Sequence, residues 1–266
     1  MNRHRLRTQH RLVVPGVYLP NNIPTSLDRR IAAAWLWTRR EGVISGVAAA
    51  ALHGAKWIDE DVTVELIHRN NRPPRGVRTR RDTLLEGEVM TVAGMLATTP
   101  ERTAFDIGRL QPCRRAIAHL DALSRATVLK RDSVANIASR HPGSRGLRNL
   151  DMVLELLDPG AQSPRETYLR LLLIEGGFPR PQTQIMVITE HGTYYLDMGW
   201  RDYMVAVEYD GEHHRSDLSQ YRKDIRRLET LQRMGWIVIR VVAGDRPAAI
   251  LHRVGSALDV RRSTVS

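Results

Sequence analysis

The chain has 266 residues, enough for one large or two ordinary domains, and carries 40 Lys and Arg against 29 Asp and Glu. The resulting net charge of +11 and pI near 10.5 favour an anionic partner, nucleic acid first among them. One cysteine, Cys113, excludes an internal disulfide framework and fits a reducing cytosol, and no apolar run approaches the roughly 20 residues of a membrane span.

The basic start, with Arg3, Arg5, Arg7 and Arg11, has no apolar stretch behind it, so no signal peptide is expected. Leu12 to Leu19 is strand-like. Ser26 caps an expected helix to Arg39 with an apolar stripe of Ile31, Trp35 and Leu36, and Ser45 opens a short Ala-rich helix ending at Gly54. Val62, Val64 and Leu66 alternate as a strand. A loop dense in arginine follows, with Arg69, Arg72, Arg75, Arg78 and Arg80 spaced by Pro73, Pro74 and Gly76. Such a loop is either solvated surface or a track for a phosphate backbone. Thr99-Pro100 announces a helix, and helices are expected over 113–126, 133–139 and 147–157. The Gly-Val-Tyr element at 16–18 resembles the wing of AbiEi-type winged-helix domains, truncated here, and the order from Ile23 to Leu157 resembles the AbiEi-associated region. That likeness implies a DNA-binding or targeting region over 1–158, mainly helical with a small β element.

Asp158-Pro159-Gly160-Ala161-Gln162 is a breaker cluster. Ser163-Pro164-Arg165-Glu166 then opens a helix, and the Ser163/Glu166 spacing suits a capping box. Gln184 stands just before an expected strand, Ile185 to Thr189. Tyr194–Trp200 and Tyr203–Tyr209 read as a hairpin turned at Arg201-Asp202. That turn puts Asp197 opposite Ala206 and diagonal to Glu208, roughly 7 Å apart at Cβ. Strand alternation places Glu208 and Asp210 on one face, so three carboxylates gather. Without a cation such a cluster is costly, although Asp210-Gly211 also reads as a plain turn. Leu218, Tyr221, Ile225, Leu228 and Leu231 give a helical stripe, and 236–242 reads as a buried strand. The pattern helix, three strands, helix, strand makes this part α/β.

Asp197, Glu208-Tyr209-Asp210-Gly211 with His214, Asp224-Ile225-Arg226-Arg227, and Gly235-Trp236 to Arg240 together resemble the very-short-patch-repair-like endonucleases, a branch of the PD-(D/E)XK superfamily found in actinobacterial genomes. The resemblance covers 163–266 and implies the α-β-β-β-α-β core of that superfamily. It implies a Mg2+-dependent endonuclease that hydrolyses phosphodiester bonds in DNA, with Mn2+ as a substitute, in DNA repair or in defence against foreign DNA. Its catalytic set would be Glu166, Asp197, Glu208, Asp210 and His214, with Asp197, Glu208 and the Tyr209 carbonyl on the metal. Arg226 and Arg227 would meet phosphate, and Gln184, Asp224 and Arg240 would support the site. Asp210 stands where the superfamily signature carries lysine, and the branch supplies a histidine instead, matched by His214. The AbiEi likeness implies a second reading, a repressor or antitoxin with a silent nuclease fold. Both place the protein in the cytoplasm at the nucleoid, with DNA as partner, no membrane, and a homodimer or a toxin or repair partner left open.

Overall fold

The computed structural model describes residues 6, 8–190, 192–211 and 218–265, with backbone alone at 218–222 and 264–265. The chain divides into two compact units, Met1–Pro159 and Gly160–Ser266. Among the described residues no helix is long and apolar enough to cross a membrane.

The first unit opens on an antiparallel hairpin, β1 (His10–Val14) and β2 (Val17–Pro20). Helix α1 (Leu27–Trp37) starts where the Ser26 hydroxyl accepts the Arg29 N–H. Then come β3 (Val43–Ser45), α2 (Gly46–Leu52), β4 (Val64–Ile67), β5 (Val77–Arg80), β6 (Val89–Val92) and β7 (Met95–Thr98). Those five strands form one mixed sheet in the order β5-β4-β3-β7-β6. Ile31 and Ala34 of α1 pack with Ile44, Ala48, Leu66 and Ala97, all essentially inaccessible. Four helices complete the unit: α3 (Pro100–Leu110), α4 (Cys113–Ala126), α5 (Arg131–Arg140) and α6 (Leu147–Leu156). The expectation of a mainly helical region with a small β element is therefore corrected to a mixed α/β unit. Its five sheet strands are only three or four residues long, which leaves little alternation to read.

In the second unit the elements run α7 (Pro164–Glu175), β8 (Gln182–Thr189), β9 (Gly192–Trp200), β10 (Val205–Asp210), α8 (Leu218–Arg233), β11 (Ile237–Val242) and α9 (Pro247–Val265). The sheet order is β11-β10-β9-β8, an antiparallel meander of β8, β9 and β10 with β11 parallel to β10. A parallel neighbour needs a crossover, which α8 supplies. Leu169 and Leu173 of α7, with Val254, Ala257 and Leu258 of α9, cover one face against Met198, Val205, Val207 and Val241. Leu231 of α8 and Trp236 cover the other against Ile185, Val187, Leu196 and Ala206. Each buried Val, Leu, Ile or Met side chain among them contributes about 1.5–3 kcal/mol.

The hairpin differs from its sequence reading. Arg201–Tyr203 form a 3-10 turn closed by Met204 in a left-handed conformation, not a two-residue turn. Strand pairs are Val205/Trp200, Ala206/Gly199 and Val207/Met198. The next step of that register sets Asp197 level with Glu208. Tyr203 is aromatic and so reads as strand, yet it belongs to the turn; the register moves by two residues and the face is kept.

A candidate carboxylate and arginine site

Close approach of β9 and β10 depends on Gly199. A Cβ there would lie 2.2 Å from the Val205 carbonyl oxygen and 2.8 Å from the Ala206 Cα, so only glycine fits. Two residues earlier the alternation of β9 breaks. Leu196 packs on the α8 side and Met198 on the α7 and α9 side, although regular alternation would put both on one face. The break falls at Asp197, level with Gln184 in the β8 pairing, and Gln184 has a left-handed backbone at φ 49°. Gln184 thus lies inside β8 rather than ahead of it, and its Oε1 accepts from Gln162 Nε2 at 2.6 Å. Irregularities of this kind bend a strand and re-aim its side chains.

Asp197, Glu208, Tyr209 and Asp210 line a cavity of about 170 Å3 together with Asp224, Arg227, Leu228 and Arg240. The Tyr209 N–H donates to Asp197 Oδ2 at 2.9 Å, so this carboxylate takes a backbone donor. Glu208 is buried, and Arg227 grips both its oxygens, Nη1 to Oε2 at 3.0 Å and Nη2 to Oε1. The same guanidinium donates to the Tyr195 carbonyl at 3.0 Å and lies over the Tyr194 ring at 5.8 Å. Asp210 is bonded at 2.6 Å by Arg240, whose strand position β11 sets opposite Glu208. Arg226, one residue from Arg227, is exposed and does not line the cavity.

The charges are unevenly matched. Burial, then the negative charge of Glu166, then Glu208, push the Asp197 carboxyl up to about 7, against the Tyr209 N–H and Arg227. Burial disfavours the Arg227 charge, but its bonds to Glu208 outweigh that and hold it above its ordinary range. Glu166 itself lies in the first turn of α7. It accepts from the Gln162 N–H at 2.8 Å and the Ser163 hydroxyl at 3.0 Å, while its own N–H donates to Ser163 Oγ at 3.2 Å. Helix capping and proximity to Asp197 therefore coexist in one side chain.

Among the described residues no group of three His, Cys, Asp or Glu side chains is arranged to hold a metal ion. Asp197 and Glu208 line one cavity and carry the hard carboxylate oxygens that a small divalent cation takes along with waters, and the Tyr209 carbonyl would be a third such oxygen. Burial and the neighbouring carboxylates favour the protonated form of Asp197, so a cation taken there would have to displace that proton. His214 lies outside the described residues.

In the first unit Arg69, Arg72, Arg75 and Arg78 are exposed, with Arg69 bonded to Glu41 at 3.1 Å and Arg78 to Glu65 at 3.3 Å. Arg80 is different. Its side chain is 14% exposed and is taken up by Asp82 at 2.6 Å and Asp106 at 3.0 Å, so its expected place on phosphate is corrected to a structural ion pair. Sequence reading also missed the network behind it: Arg102 bonds to Glu88 and Asp106, and His141 to Glu88 at 2.8 Å. The signal was available, since Arg102 and Asp106 stand at i and i+4 on a helix otherwise buried by Ala104, Phe105 and Ile107. A second cavity, of about 540 Å3, is lined by Arg78, Arg80, Asp106, Arg115 and His119 among others. There burial, and then Arg115, push His119 down to about 4.

The chain resembles known proteins along both units, and one family within the first. No solved structure matches the chain. An uncharacterized protein of Mycobacterium tuberculosis (strain CDC 1551 / Oshkosh) is 29% identical over 256 residues, spanning 93% of this chain and 92% of that protein. The uncharacterized counterpart in strain ATCC 25618 / H37Rv gives the same figures. Alignments of that length run through both units. Residues 42–158, wholly within the first unit, match the family described as the AbiEi antitoxin C-terminal domain.

Proposed function

We propose that the protein is a DNA-directed regulator of the antitoxin kind, acting where the chromosome is. The match of residues 42–158 to the AbiEi antitoxin C-terminal domain carries this reading. The exposed Arg69, Arg72, Arg75 and Arg78 on the same unit, and the net charge of +11, support it. A toxin encoded with it would be the protein partner. The test is binding of the purified chain to labelled duplex DNA as salt is varied. Replacing Arg72, Arg75 and Arg78 by Ala should weaken binding of all sequences alike, and flatten the log–log salt slope by about 0.9 for each phosphate no longer neutralised. An unchanged slope would remove the loop from the interface.

One observation favours a second, compatible reading, cleavage of DNA by the second unit: seven charged or hard-oxygen residues from three strands and one helix line a single cavity. Asp197, Glu208 and the Tyr209 carbonyl would hold Mg2+ or Mn2+. When bound, that ion supplies polarisation of a phosphodiester oxygen. Arg227 and Arg226 would offset phosphate charge, and His214 would move a proton to or from the reacting oxygens. Asp210, which fills the signature's lysine position, is bonded to Arg240 and would help shape the floor of the site. Incubation with a panel of labelled DNAs in Mg2+, Mn2+ or EDTA tests it. Cleavage should require the ion and vanish in Asp197→Ala and Glu208→Ala, and His214→Ala should slow it by about 10²–10⁴. Tight DNA binding with no cleavage of any substrate would leave the regulator alone.

A further inference from the structure

Glu208 is a buried carboxylate lining the second unit's cavity, and both its oxygens are engaged by one guanidinium. Arg227 reaches it from α8, a different element from the strands that carry the carboxylates. The arginine has alternative anchors that do not involve Glu208, since its Nη2 also donates to the Tyr195 carbonyl and it lies over the Tyr194 ring. It can therefore let go of Glu208 without losing all its partners, and its charge is stacked on an aromatic face at 5.8 Å, which suits a guanidinium. A planar fork bound to a carboxylate matches a phosphate equally well.

Resting on the cleavage reading above, we propose that Arg227 is an internal counter-ion. It holds Glu208 until a divalent cation takes its place, and a nucleic-acid phosphate is what draws it off. Cation and phosphate then compete with the two halves of one ion pair, so each assists the other. Coupling of this kind is reciprocal and typically changes affinity by about 5–150-fold. In the free chain the cation is bound weakly because Arg227 occupies its ligand.

The experiment is a titration of the full chain with Mn2+, following free Mn2+ by its electron paramagnetic resonance signal, for wild type, Arg227→Gln, Arg227→Lys and Glu208→Gln. Arg227→Gln should bind Mn2+ about tenfold tighter than wild type, within that coupling range. Arg227→Lys, which keeps the charge but loses the fork, should lie between them. Glu208→Gln should bind least. Circular dichroism melting of each variant guards against loss of the fold, and Arg227→Lys stands in if Arg227→Gln fails to fold. Equal Mn2+ affinity in wild type and both Arg227 variants, with loss in Glu208→Gln, would overturn the counter-ion while keeping the metal site. An equal gain in Lys and Gln variants would also overturn it, because the effect would not follow charge. No Mn2+ binding by any of the four would overturn the counter-ion and the cleavage reading together.

Discussion

Asp197 holds a proton that its unfolded counterpart has lost. Its carboxyl is pushed up to about 7 from the ordinary 3.8, by burial first and by Glu166 and Glu208 next. A carboxyl raised on folding makes the folded state bind more protons than the unfolded state between those two values. Stability therefore falls as pH rises from about 4 to about 7. Asp197→Asn keeps the shape and removes the charge. Its melting temperature should exceed that of wild type at pH 8 and approach it at pH 5. A gain that is the same at both pH values would mean the carboxylate is not strained by its neighbours.

Helix α3 shows what one element holds together. Burial works against the charge on Asp106, and Arg80, Arg102 and Arg109 outweigh it, so its carboxyl stays below 3.8. Glu88 is likewise held below 4.5, by His141, the Leu85 N–H and Arg102 against burial. Arg102, 1% exposed, links the two. Replacing it by Met leaves two buried carboxylates short of a partner, and breaking a buried pair costs about 3–5 kcal/mol. Urea unfolding should show that loss, and a cost under 1 kcal/mol would assign the network to Arg80 and Arg109 instead. The start of α3 was legible because Thr99 and Pro100 satisfy and pre-set a helix end, and Ser163-Pro164 made α7 legible in the same way. The face shared by Asp197 and Glu208 was legible too, since a two-residue slip preserves alternation. Three features were not. Tyr203 is apolar enough to pass for strand, the left-handed Gln184 has no local signature, and the fate of Arg80 depends on Asp106, 26 residues away. Charge spacing reveals which residues can pair, and burial decides which of them do.

Across the chain the two units answer pH in opposite senses. In Met1–Pro159, His119 has its value pushed down from 6.5 to about 4, so the unfolded state gains protons first and stability is lost as pH falls through that interval. Asp106 and Glu88 continue the loss below their ordinary 3.8 and 4.5, as pH drops through their lowered folded values. In Gly160–Ser266, Asp197 works the other way and favours folding as pH falls from about 7 to about 4. Amide hydrogen exchange, corrected for its intrinsic pH dependence, reads each unit separately. Between pH 7.5 and 5, protection should rise around β9 and β10 and fall around α3 and α4. Parallel changes in both would contradict these assignments.

The crossover that makes β11 parallel to β10 sets an order of events during folding. The β8–β9–β10 meander is made of neighbouring segments and closes early, because short-range contacts cost little loop entropy. Asp197 and Glu208 are then face to face before Arg227 on α8 and Arg240 on β11 have docked. The carboxylates meet ahead of their counter-charges, and the nascent sheet must form against its own repulsion. Refolding followed through Trp200 and Trp236 should therefore speed up when pH is lowered from 8 to 6, and Glu208→Gln should fold at a rate that no longer depends on pH over that range. A wild-type rate indifferent to pH would place the arginines in the folding nucleus from the outset. The repulsion between Asp197 and Glu208 that persists in the finished cavity would then be the slowest obstacle the chain meets in building it.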